Sequence, residues 1–446
     1  MKNLLILVVF LTLVSVVYAN NFLTIYNNNL GLFRTSIELD LQRGVQFYSL
    51  ENIPANIISE SVIFVPRDRN VQLFSQSFEF DLANTHRMIQ RYIGQNVRLV
   101  TDQGQFSGKL IFFDFGNYGL LNETTNELNL VSAHKVNNVL LSEMPQDFYL
   151  RPTLRWQLSA DRAGTYQAEL SYLTRGIEWR ATYNAVLAKN NFTLNSWVTI
   201  NNRSGKDFKD VNLKLIAGDV ETGQNRRRGA FVEADMAMGF MMTEAAPPAF
   251  EERAFSDFRI YTLDQKADID NNQEKQLRLY PLKTVRHTRR YEYTVGGRSV
   301  DVLISFGNTT ANGLGVPLPR GNVNFYELDE RDNTPQFVGV ATIDHTSINQ
   351  DVNLRIGSAF DIVAETRTVN SQTIGRTQEQ TFEVSLTNNK SEAVEIEAIR
   401  RIHSANVEIL NPSVNFERRD AFTFVFRVRV PAGGTQRITF LERISG

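Results

Sequence analysis

Between Tyr172 and Leu187 the chain reads YLTRGIEWRATYNAVL, in which Ile177, Trp179, Ala181, Tyr183, Ala185 and Leu187 alternate with Glu178, Arg180, Thr182 and Asn184. A period of two sets the apolar residues on one face of a β-strand. Leu154, Trp156 and Leu158 repeat the pattern, as do Tyr166, Ala168, Leu170 and Tyr172, with turn residues around Gly164 and at Thr174-Arg175-Gly176. A turn at Lys189 to Asn191 leads to a strand over 192–200, and NNRSGKDFKD leads to Val211, Leu213, Leu215 and Ala217. The pattern predicts an antiparallel meander with one buried face. Trp179 has apolar or small neighbours at two-residue spacing, which assigns it to the core. Trp156 and Trp197 are candidates for a carbohydrate platform.

Upstream, LTIY, LFRTSIELDL, VQFYSL, SVIFV and SFEFDL are short alternating runs separated by Asn, Gly and Pro turns. They predict an N-terminal β domain over residues 20–85. LANTHRMIQRYIG then predicts a short helix, and about five bent strands follow up to residue 145, the pattern of a small Sm-like or SH3-like barrel over 86–145. This segment is not basic, which argues against nucleic acid and leaves a docking role. After Asp219 both periods vanish. Residues 221–256 combine Arg226, Arg227 and Arg228 with a Met cluster and Pro247-Pro248, predicting a mobile, protease-sensitive insertion. The Met cluster is also a candidate soft apolar contact for a partner or lipid surface. From Phe258 strand patterns resume, and the last six predict β-sandwich packing within an expected domain over 146–446. The fold class expected is all-β.

Composition narrows the chemistry. The 446 residues carry a formal charge of −2 and no Cys, excluding disulfides, thiolate metal sites and thiol catalysis together. Lys2, the apolar run from Leu4 to Val17 and Val17-Tyr18-Ala19 predict a cleaved export signal over 1–19 and a secreted chain, periplasmic or extracellular, with no later spanning segment. In a eukaryotic host Asn122, Asn191, Asn202, Asn308 and Asn389 would be glycosylation sequons.

Nucleotide, zinc-protease, serine-hydrolase and EF-hand motifs are missing, and no metal or cofactor is implied. His86, His134, His287, His345 and His403 are scattered. Asp344-His345-Thr346 flanks an imidazole with a carboxylate and a hydroxyl, a candidate base or ligand whose competing reading is a structural turn. Glu327, Asp329, Glu330 and Asp332 cluster near a hairpin tip, where paired carboxylates could hold calcium or act on a sugar and a solvated hairpin is the simpler reading. Arg286 and Arg289 in RHTRRYEY are candidates for an anionic glycan.

RPTLRW, LSYLTRGIEWRATYNAVL, NNRSGKDFKDVNLKLIAGDV, GLGVPLPRGNVNFYELD, FVGVATIDHT and LRIGSAFDIV together resemble domain of unknown function 4139, a family that includes mucoidy-inhibitor-like proteins. The resemblance runs from about Phe22 to Leu441. Longer members carry a coiled coil, and no sustained heptad pattern is present here. The reading expected from these features is an exported, non-catalytic binding or structural component of the cell envelope or extracellular space, its partner an envelope or extracellular protein or a glycan; the alternative is a carbohydrate-active hydrolase using paired carboxylates.

Overall fold

A computed structural model describes residues 20–80, 85–114, 116–141, 149–218, 250–402 and 406–445. Residues 1–19, expected to be an export signal, as well as His403 and Arg226, Arg227 and Arg228, lie outside them. About 68% of the chain is strand and 4% helix, so it is all-β as its periodicity predicts. It divides into two compact units, one of residues 1–178, 201–216 and 261–274, the other of 179–200, 217–260 and 275–446.

In the first unit Asn21–Tyr26 lies parallel to Phe208–Ala217, from Asn21↔Val211 to Tyr26↔Ile216, and antiparallel to Gly31–Leu41. Gly31–Leu41 pairs along its whole length with Gly164–Thr174, which holds Ile63–Pro66 on its other edge. A second, three-stranded sheet has Thr153–Ala160 between Gly44–Glu51 and Val71–Glu79. The strands of residues 21–79 therefore share sheets with those of 153–217.

This corrects the expected meander. Thr153–Ala160 and Gly164–Thr174 are consecutive in sequence but belong to different sheets, and only Ile177–Leu187 and Asn191–Asn202 are hydrogen-bonded neighbours among the predicted set. Alternation specifies the face each strand buries, and that prediction holds: Leu154, Trp156, Leu158, Ala168, Leu170 and Tyr172 are all buried. It carries no information about the edge partner, because every strand offers the same backbone groups there.

Residues 85–141 form a helix, Thr85–Gln90, and five antiparallel strands in the order Val136–Leu141, Asn96–Thr101, Gly104–Phe113, Asn117–Asn122, Glu127–Ser132. Ile89, Tyr92, Leu99, Leu110 and Leu120 are at its core. Gly108 lets two strands close up, since a Cβ there would stand 2.6 Å from the Leu121 carbonyl oxygen. The expected barrel is not closed. The last two strands occupy opposite edges of the sheet, separated in sequence by a single 3-10 turn at Ala133–Lys135.

The second unit contains the predicted sandwich. A six-stranded sheet includes Thr288–Thr294, Val300–Gly307, Val394–Arg401 and Thr423–Val430; a four-stranded sheet joins Ile362–Ile374, Thr377–Asn388, Thr435–Ser445 and Val407–Leu410. Tyr293, Val300, Ile396 and Phe426 from the first share a core with Ile362, Val384, Leu386 and Phe440 from the second. A further five-stranded sheet orders Gln273–Arg286, Asn191–Asn202, Ile177–Leu187, Gly321–Leu328 and Pro335–Ile343. Phe250–Phe255, inside the expected insertion, is a strand, and Arg259 pairs with its Glu252 at 2.9 Å.

Two asparagines end strands in the same way. Asn202 Nδ2 donates to the Lys206 carbonyl while its Oδ1 accepts from the Ser204 N–H; Asn388 Nδ2 donates to the Glu392 carbonyl while its Oδ1 accepts from the Lys390 N–H. Both are fully buried. Each amide satisfies carbonyls that the departing chain would otherwise bury unpaired.

Candidate ligand-binding face

One face of the five-stranded sheet has the polar character that a core face lacks. Its inward side carries Trp179, Ala181, Tyr183, Ala185 and Leu187, all buried, and Val323 and Phe325 beside them. The alternate residues point the other way. Thr182 stands opposite Asn322 and Asn184 opposite Asn324; Asn322 in turn faces Thr342, Asn324 faces Val340 and Tyr326 faces Phe337.

These side chains bond across the strands. Asn324 Nδ2 donates to Asn184 Oδ1 at 3.1 Å, Thr182 and Thr199 hydroxyls are 3.3 Å apart, and Thr342 donates to Asn322 Oδ1 at 3.5 Å. Trp197, two residues from Thr199, shares the face, with the Arg278 guanidinium 5.6 Å from its ring. At the far side Tyr326 and Phe337 meet edge to face at 5.7 Å. Phe337 is 60% exposed and Trp197 half-buried. On a face that also carries Glu178, Arg180 and Arg278, these residues form an uncharged row of amides and hydroxyls bounded by aromatic rings, and the buried Asn195 Oδ1 beneath it has no hydrogen-bond partner.

The structure separates the tryptophans that the sequence grouped. Trp156 is 0% exposed, donates to Gln76 Oε1 at 2.8 Å and packs 4.5 Å from the Phe64 ring, so it is core and not platform. Trp197 alone of the two candidates keeps an accessible ring. The distinction was present in sequence: Trp156 is flanked at two-residue spacing by Leu154 and Leu158, Trp197 by Asn195 and Thr199. The run N-V-N-F at 322–325 likewise alternates polar with apolar and marks a strand that contributes two amides to the face.

The other candidates are already occupied. His345 Nδ1 accepts from the Arg320 N–H at 3.1 Å, and Asp344 faces the Arg320 side chain at 3.6 Å, so this turn ties two loops together. Glu327 pairs with Arg289 at 3.1 Å, and Arg286 donates to the Ala311 carbonyl at 2.7 Å. Asp329 accepts from the Arg331 N–H, while the Thr334 hydroxyl and N–H hold the Asp332 carboxyl below its ordinary range, the solvated-hairpin arrangement. Among the described residues no group of His, Asp and Glu has the geometry of a metal site. Burial would raise Glu397, but Arg290, Arg419 and Arg427 around it bring its pKa below the usual carboxylate value. Asn202 and Asn308 use their side-chain nitrogens in buried hydrogen bonds, which removes them as acceptors of a glycan in the folded protein. Asn191 and Asn389 are exposed.

His287 Nδ1 is buried without a partner, and burial, then the nearby Arg289 charge, depress its pKa against the opposing pull of Glu327. With a folded pKa below the unfolded one, the unfolded chain takes up a proton first as pH falls. Stability is therefore full above the unfolded value of about 6.5 and declines below it. Urea midpoints measured across this range should fall with pH, and His287→Gln should flatten that slope.

The profile of the family described as Domain of unknown function (DUF4139) matches residues 168–444, more than half of the chain. No curated protein matches it.

Proposed function

Starting from the chain's membership of the DUF4139 family, we propose that it is an exported, non-catalytic binding protein of the cell envelope or extracellular space, and that its ligand is a neutral glycan. The observation that carries this reading is the uncharged row Thr182, Asn184, Asn322, Asn324 and Thr342 bounded by Trp197, Tyr326 and Phe337. Sugars present hydroxyls to carboxamides along their edges and C–H faces to aromatic rings. Bonded amides on adjacent strands are also pre-organised, so little side-chain entropy is lost on binding. Export is supported by the leader-like segment at residues 1–19.

The test is titration of the purified mature chain against a panel of neutral and acidic polysaccharides. Trp197→Ala should keep its melting temperature and lose about tenfold or more in affinity, as a truncated aromatic anchor does. Absence of binding to every glycan, or unaltered binding by the variant, would overturn the reading.

A further inference from the structure

The strand Ile362–Ile374 is one edge of the four-stranded sheet, and among the described residues its sole strand partner is Thr377–Asn388. An edge of this length exposes a row of unpaired N–H and C=O groups, and natural proteins normally blunt such edges with proline, like charges or brevity. Two other edges here are blunted. Ile63–Pro66 is short and ends in proline, and Phe416–Asp420 carries Arg418 and Arg419 in succession. Ile362–Ile374 has neither device. Its exposed charges alternate in sign, Glu365 and Arg367, and exposed Val363 and Val369 lie outside them at 45% and 57%.

That spacing is symmetric about Thr366. If a second copy of the strand is laid antiparallel with Thr366 opposite Thr366, Glu365 falls opposite Arg367 of the other copy, twice. Directly opposed residues are the pairs that stabilise a sheet, and opposite charges there attract. Within its own sheet Arg367 stands opposite Glu383 and Glu365 opposite Ser385, and neither of the two makes an ion pair or hydrogen bond there among the described residues, so both remain available to a second strand on the open side. The bulge between Thr368 and Asn370 ends the regular run, which confines the symmetric register to the segment centred on Thr366. Thr366 itself is anchored from the inner side, its hydroxyl accepting from the Gly296 N–H at 3.0 Å, which fixes the centre of the edge.

We infer that this edge is a homodimerisation site, where a second copy of the chain pairs antiparallel about Thr366 and joins the two four-stranded sheets into one. The interaction is isologous, so it closes on itself and yields a dimer instead of a filament.

Sedimentation equilibrium on the full mature chain tests it with a charge swap. The native protein should show concentration-dependent dimerisation. Arg367→Glu sets two like-charged pairs across the axis and should weaken the dimer about tenfold or more. The double variant Glu365→Arg/Arg367→Glu restores two opposite-charge pairs and should recover it. Thermal melting of each variant confirms that the sandwich is intact. A native chain that stays monomeric at every concentration, an Arg367→Glu variant that dimerises like the native chain, or a double variant that fails to recover would each overturn the inference.

Discussion

Replacing Trp179 with alanine is expected to cost about 3–5 kcal/mol of unfolding free energy. The indole is 2% exposed on the buried side of Ile177–Leu187, between Ile177 and Ala181, both 0% exposed. Truncation removes its transfer free energy and leaves a cavity that flanking strands, fixed by their hydrogen bonds, cannot fill. Urea denaturation measures the loss directly. Trp197→Ala is the internal control: it removes a ring of the same size from a neighbouring strand's half-buried face and should cost markedly less. Equal losses for the two would mean that the tryptophans occupy equivalent environments, contrary to the assignment of one to core and the other to a ligand face.

Glu442→Ala should destabilise the sandwich by a similar amount, about 3–5 kcal/mol, through a different mechanism. Glu442 is 1% exposed and accepts from Arg400 at 2.6 and 2.9 Å, a two-point pair that bridges the two sheets of the sandwich. Removing the carboxylate leaves the largely buried Arg400 guanidinium, with the Phe382 ring 4.6 Å from its centre, without its ion-pair partner. The desolvation already suffered by Arg400 is then uncompensated. Replacing both residues, as Arg400→Met/Glu442→Leu, removes that uncompensated charge and should recover most of the lost stability. A single variant with native stability, measured by the same denaturation, would show that the pair is not confined as its burial indicates.

The chemistry of the candidate face was partly legible before the fold was known. Trp197 declares itself by its neighbours, because a ring flanked at two-residue spacing by Asn195 and Thr199 cannot belong to an all-apolar face. The partners of that ring were not legible. Asn184 and Asn324 are 140 residues apart and bond because Ile177–Leu187 runs parallel to Gly321–Leu328. Arg289 and Glu327 looked like components of two separate sites and instead neutralise each other. Asn202 and Asn308 read as glycosylation sequons and, like Asn388, are completely buried, since their amides stand in for backbone partners at chain crossings. A polar letter in a sequence does not report whether water or a carbonyl satisfies it.

Local sequence by itself determined that this protein is built of strands, which face is buried in the alternating strands between Leu154 and Ala217, and that thiol chemistry is excluded. Those properties follow from side-chain alternation and from the absence of one residue type, and both are local or additive. The tertiary structure alone decided that Asn21–Tyr26 lies beside Phe208–Ala217, that Thr153–Ala160 and Gly164–Thr174 part into different sheets, and that Ile362–Ile374 is left as an edge. Backbone edges are chemically identical from strand to strand, so the choice among partners is made by the joint packing of distant apolar faces, a property of the whole chain that no short window contains.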